Sequence, residues 1–146
     1  MSVPASTNSP RNVVFVDGIR TPFGKAGPKG MYADTRADDL VVKAIRELLR
    51  KNPSLPPERV DEVAIAATTQ TGDQGLTIGR TSALLAGLPR SVPGFAIDRM
   101  CAGAMTSVTT TGSGIGRQSN GSSIRPSALS ILHSVSSPKR RLTSEA

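Results

Sequence analysis

The chain has one cysteine, Cys101. It follows an apolar extended run, Val92-Pro-Gly-Phe-Ala-Ile97, and a short polar link, Asp98-Arg-Met100. Behind it comes a small-residue segment, Ala102-Gly-Ala-Met-Thr-Ser-Val108, that reads as a helix start. A thiol at a strand-to-helix junction lies near the unpaired N–H groups and the positive dipole end of the helix, which favours the thiolate. A thiolate attacks electrophilic carbon, so Cys101 is the candidate nucleophile. The plainer role of a lone cysteine is a small buried hydrophobe. The one histidine, His133, lies in a serine-rich stretch outside any motif and reads as a solvent-exposed side chain.

The elements that must position Cys101 can be read from pattern. Met1 to Arg11 is a flexible lead, rich in Ser, Asn and Pro and poor in apolar residues. Val13 to Val16 is a β-branched and aromatic run of the kind buried on both faces of a parallel sheet. Asp17 to Gly30, with its glycines and prolines, is a loop. Thr35 stands three residues before Asp38, a helix start in which both side chains can accept from free backbone donors. Leu40, Val41, Ala44, Ile45, Leu48 and Leu49 follow at helical spacing, and Pro53 prevents continuation beyond Lys51. Val63, Ile65 and Ala67 lie in a second strand. A second helix runs from about Leu76 to Ala86, stopped by Gly87-Leu-Pro89. Val92 to Ile97 forms the third strand, regular only after Pro93 and Gly94. Strand, helix, strand, helix, strand, helix implies an α/β fold with a mostly parallel sheet. Cys101 then falls at the carboxyl end of the third strand, where such sheets place their sites. The third helix is locally weak, because Gly103 and Thr109-Thr-Thr111 disfavour helix, and it needs burial to hold.

A net charge of +7 invites an acidic partner, but its distribution argues otherwise. Residues 117–146 hold five Lys and Arg against one Asp or Glu, while residues 1–116 hold thirteen against ten. The densest cluster, Lys139-Arg-Arg141, has no aromatic neighbour to stack on a base, so it reads as a solvated charge run and no nucleic acid is expected. One cysteine excludes an internal disulfide and suits a reducing compartment. No apolar run suits a membrane span or a secretory signal, and the expected location is the cytoplasm.

The stretch Val13-Val-Phe-Val-Asp-Gly-Ile-Arg-Thr-Pro-Phe-Gly-Lys25, then Val60-Asp-Glu-Val63, then Arg80 to Pro89, then Asp98-Arg-Met-Cys-Ala-Gly-Ala-Met105 resembles the N-terminal half of the thiolases in order and spacing. The Arg20-Thr-Pro-Phe-Gly-Lys25 turn separates this pattern from the related ketoacyl synthases. The resemblance covers residues 12–116 as a partial N-terminal domain. It implies acyl transfer between CoA thioesters, in fatty-acid or acetoacetyl-CoA metabolism, through a cysteine acyl-enzyme at Cys101. It also implies acyl-CoA or acetyl-CoA as substrate with no cofactor or metal, and a homo-oligomer or another thiolase subunit as partner.

Two departures lie near Cys101. Asp98 stands where many thiolases have asparagine, and Ala102-Gly103 stands where alanine-serine is frequent. A larger break follows Gly116. Residues 117–146 contain nine serines, no matching period and no family counterpart, so a disordered tail is expected, of the kind a shifted reading frame or truncated gene produces. Thiolases draw the base histidine, a second acid-base cysteine and part of the oxyanion hole from their later segments. The chain is therefore expected to be inactive alone, with a non-catalytic fragment that binds another thiolase subunit, or a product with no role, as the alternative. Val13 to Val16 is further expected to be an exposed apolar edge, since in thiolases it pairs with a later strand.

Overall fold

The computed structural model describes residues 13–117 and 129–131. Its elements are α1 (Ala37–Lys51), β1 (Val63–Ala66), α2 (Ile78–Ala86), β2 (Gly94–Ile97), α3 (Gly103–Arg117) and β3 (Leu129–Ile131). The strands form one parallel sheet in the order β2-β1-β3. All four residues of β1 are buried, as expected of a central strand covered on both faces. Val63 and Ile65 join Val41 and Ile45 of α1 and Ile78 and Ala83 of α2 in the main core. Ala64 and Ala66 point the other way, and Ala66 meets the start of α3 at Gly103. The α/β, thiolase-like arrangement expected from pattern is present: two helices on one face, a parallel sheet, and α3 on the other.

α1 buries the stripe Leu40, Val41, Ala44, Ile45 and Leu48. Its start differs from expectation. Thr35 makes no cap; Arg36 holds the N-cap position without a side-chain cap bond, and the Asp73 carboxylate accepts from the Ala37 N–H at 2.8 Å. Asp38 is engaged by Arg36 through two bonds of 2.9 and 2.7 Å, which hold its carboxyl below the ordinary range. A tertiary carboxylate has replaced the local hydroxyl. At the other end Asn52 and Lys51 each donate to Asp17, at 3.0 Å.

α2 begins at Ile78, two residues later than expected, because Leu76 and Thr77 take left-handed backbone. It ends as expected at Gly87, whose φ of 96° suits glycine. α2 crosses β2 with backbone nearly touching backbone: a Cβ on Gly79 would overlap the Phe95 carbonyl, and one on Gly94 would stand 2.6 Å from the Arg80 nitrogen. The Arg80 guanidinium donates to the carbonyls of Val92 and Arg90, tying α2 to the approach to β2. α3 holds despite weak propensity because one face is buried. Ser107 and Thr111 on that face return their hydroxyls to the carbonyls of Gly103 and Ser107.

The strand expected over Val13 to Val16 does not form. This segment lies outside the sheet, with exposures of 52, 74, 82 and 81%. The reason is positional: the free side of β1 is filled by β3, which pairs Val63 with Leu129, Ala64 with Ser130 and Ile65 with Ile131. The exposed apolar segment expected from sequence is therefore present, though as unpaired chain and not as a sheet edge. The expectation of a wholly disordered tail meets an exception at Leu129–Ile131; the rest of that tail, His133 included, and the lead of residues 1–11 lie outside the described residues.

Candidate active site

Cys101 lies in a 3-10 turn, Met100–Ala102, between the end of β2 and the first residue of α3. Its side chain is free and exposed. It is therefore not the small buried hydrophobe of the plainer reading.

The turn is built from both strand ends. Asp98 uses its two carboxylate oxygens separately: Oδ1 accepts from the Met100 N–H at 3.2 Å, and Oδ2 accepts from the Thr69 N–H at 3.1 Å. An asparagine here would present an NH2 group to one of those donors, so the departure at Asp98 has a structural use. The Thr68 hydroxyl donates to the Met100 carbonyl at 3.4 Å, and the Ala102 N–H to the Arg99 carbonyl at 3.0 Å. The Ala67 N–H donates to the Ile97 carbonyl, carrying the β1–β2 ladder one step beyond the strands. The loops after β1 and β2 are thus joined at the turn that carries Cys101.

Met100, adjacent to Cys101, has φ of +48°, and Thr69 has +61°. Left-handed backbone at residues with side chains costs about 1–3 kcal/mol each and persists only where surrounding bonds impose it. Both residues are anchored by Asp98. On the far side Arg99 donates to the Thr106 hydroxyl, which itself donates to the Ala102 carbonyl. Gly103 lets the helix start close on the sheet, since a Cβ there would stand 3.1 Å from that of Ala66.

The family description "Thiolase, N-terminal domain" matches residues 13–120. The chain belongs to the thiolase family. It is 42% identical over 95 residues to a 3-ketoacyl-CoA thiolase of Aliivibrio fischeri, a match covering 65% of this chain and 24% of that protein. It is 44% identical over 91 residues to the 3-oxoadipyl-CoA/3-oxo-5,6-dehydrosuberyl-CoA thiolase of Escherichia coli, covering 62% and 22%. The crystal structure of the Bacillus anthracis acetyl-CoA acetyltransferase matches with a TM-score of 0.68 and 31% identity, over 75% of this chain and 27% of that one. The chain therefore spans about a quarter of the length of the curated thiolases it matches.

Among the described residues no three His, Cys, Asp or Glu side chains stand together as metal ligands. No helix among them is long and apolar enough to cross a membrane. The parts of the site that sequence reading missed are Thr68, Thr69 and the double use of Asp98. The signal for Asp98 was present, because an aspartate two residues before a turn nitrogen commonly accepts from it. Nothing local marked Thr68 and Thr69, which act across 32 and 29 residues.

Proposed function

We propose that this chain carries the acyl-accepting half of thiolase chemistry, with Cys101 as nucleophile and an acyl-CoA, acetyl-CoA in the simplest case, as substrate. The Cys101 sulfur attacks the thioester carbonyl; the bond from that carbon to the CoA sulfur breaks; CoA leaves as the free thiol, taking up the proton that the Cys101 side chain gives up, and the acyl group remains on Cys101. The observation that carries this reading is the exposed thiol held on a braced turn at the carboxyl end of a parallel sheet, within the segment matching the thiolase N-terminal domain. The setting is acyl-CoA metabolism in the cytoplasm, with a homo-oligomer or another thiolase subunit as partner. The sequence holds one cysteine and one histidine, so it lacks the second cysteine that the family uses as acid and base. The chain alone is therefore expected to stop at the acyl-enzyme.

The test is intact-mass spectrometry after incubation with acetyl-CoA. The wild-type chain gains one acetyl group, Cys101→Ser gains none, and acetoacetyl-CoA thiolysis stays at background. An equal adduct on both chains places the chemistry elsewhere. A second reading is favoured by the exposure of Leu84, Leu85, Met105 and Val108 on the outer faces of α2 and α3: the chain binds another thiolase subunit without turnover. Absence of any adduct together with co-purification with an intact thiolase selects it.

A further inference from the structure

The Asp98 side chain is exposed, so core packing does not require it, yet each of its oxygens takes a different backbone N–H, from Met100 at 3.2 Å and from Thr69 at 3.1 Å. A turn aspartate that accepts from the residue two places on is local chemistry. The bond to Thr69 is not local, since it spans 29 residues and grips the loop after β1.

Thr69 is a firm anchor. Its carbonyl accepts from the Thr71 N–H at 2.7 Å, and the Thr71 carbonyl accepts from the N–H of the buried Gln74 at 3.1 Å. Asp73, within the same loop, holds the start of α1 through the Ala37 N–H at 2.8 Å. Through Asp98 the turn carrying Cys101 is therefore tied to α1 as well as to β2.

What this tie holds in place is Met100, the residue before the thiol. Its φ is +48°, a conformation that a side chain disfavours and glycine takes freely. Both of its peptide groups are pinned: the N–H by Asp98, the carbonyl by the Thr68 hydroxyl at 3.4 Å and by the Gly103 N–H at the start of α3. Without the carboxylate, Met100 relaxes toward negative φ, and rotation about its N–Cα bond swings Cys101 relative to the end of the sheet. A thioester must meet the sulfur along a narrow range of directions, and a misplacement on the order of 1 Å can cost about 100-fold in rate.

We propose that Asp98 is the positioning residue for Cys101: by bridging the loops after β1 and β2, its carboxylate holds Met100 left-handed and fixes the sulfur for attack on an acyl-CoA thioester. This role rests on the acyl-accepting reading of Cys101. An asparagine at this position offers one acceptor in place of two, so it holds the turn only in part.

Two rates measured on the full chain test this. One is acetylation of Cys101 by acetyl-CoA, followed by intact mass. The other is alkylation by iodoacetamide, a small reagent that needs an accessible thiolate but no fixed thioester geometry. In Asp98→Ala, acetylation should slow by about tenfold or more while alkylation changes by less than about threefold, and Asp98→Asn should fall between Asp98→Ala and wild type. Adding Met100→Gly to Asp98→Ala should restore acetylation severalfold, because glycine reaches positive φ without a brace. A general loss of structure would not be repaired that way. Equal acetylation in Asp98→Ala and wild type overturns the proposal and leaves the acyl-accepting reading standing, as does a parallel fall in both rates or no recovery with Met100→Gly. A wild-type chain that gains no acetyl group overturns the reading and the proposal together. Should Asp98→Ala lose the helical circular dichroism of wild type, Asp98→Asn decides: a lower ratio of acetylation to alkylation supports the role, and an unchanged ratio overturns it.

Discussion

Val63–Ala66 and Val13–Val16 are alike as sequence and opposite as structure. Each is a four-residue apolar run beside charged or polar residues, and each answers to the pattern of a buried parallel strand. The first is buried at every residue between two helical layers, while the second is at least half exposed at every residue. Local composition therefore selects what can be a strand, and a ladder partner arriving from far along the chain decides what is one. β1 has such a partner on both sides, from residues 94–97 and 129–131; Val13–Val16 has none among the described residues.

The backing that β1 and β2 enjoy is the strongest lever on this contrast. Gly79 and Gly94 let α2 lie on β2 without intervening side chains. Gly79→Val would force a branched side chain into the Phe95 carbonyl, with backbone on both sides and nothing flexible to yield. A loss on the order of 3 kcal/mol or more is expected, a large share of the roughly 5–15 kcal/mol that holds a domain folded. Urea denaturation monitored by circular dichroism measures it; a midpoint within error of wild type would show that α2 does not press on β2.

A direct comparison comes next in size. Ile65→Ala empties a fully buried position in the core and should cost about 2–5 kcal/mol. Phe15→Ala removes a larger side chain from an exposed segment and should fall within about 0.5 kcal/mol of wild type. Similar losses for the two would mean that Val13–Val16 is packed in solution, and the contrast would collapse.

How far the fold was legible follows the same division. The apolar stripe of α1, the stop of α2 at Gly87 and the strands at 63–66 and 94–97 were legible because their signals are local: helical spacing, a left-handed glycine and short β-branched runs. The placing of Cys101 between β2 and α3 was legible for the same reason. What failed depended on distance in sequence. The cap of α1 comes from Asp73, 36 residues away, where a nearby Thr35 offered itself. The third sheet position goes to Leu129–Ile131, whose serine-rich surroundings carry no strand pattern. The braces under Cys101 reach from the loop after β1, which no spacing rule connects to a cysteine.

The smallest expected effect sits just before the well-packed strand. Glu62 is half-buried where β1 begins, with a carboxylate oxygen 3.8 Å from the position a Cβ on Gly114 of α3 would take. Loss of water around it, and secondarily the neighbouring Asp61 charge, raises its carboxyl above the ordinary value. A carboxyl raised in the folded state is held more tightly as the neutral acid than it is in the unfolded chain, so its contribution is most favourable at low pH and is lost as pH rises through the folded value. At neutral pH Glu62 is therefore a cost that β1 carries and the exposed Val13–Val16 does not. Glu62→Gln keeps the shape and removes the charge, so it should raise the unfolding temperature modestly at pH 7. The gain should fade as the pH drops to about 4, where an unperturbed glutamate is itself half protonated. Thermal melts of both chains across that range check the sign, and a Glu62→Gln variant less stable than wild type at pH 7 would show that the ionised carboxylate is held by a favourable partner and that the start of β1 is better solvated than its burial implies.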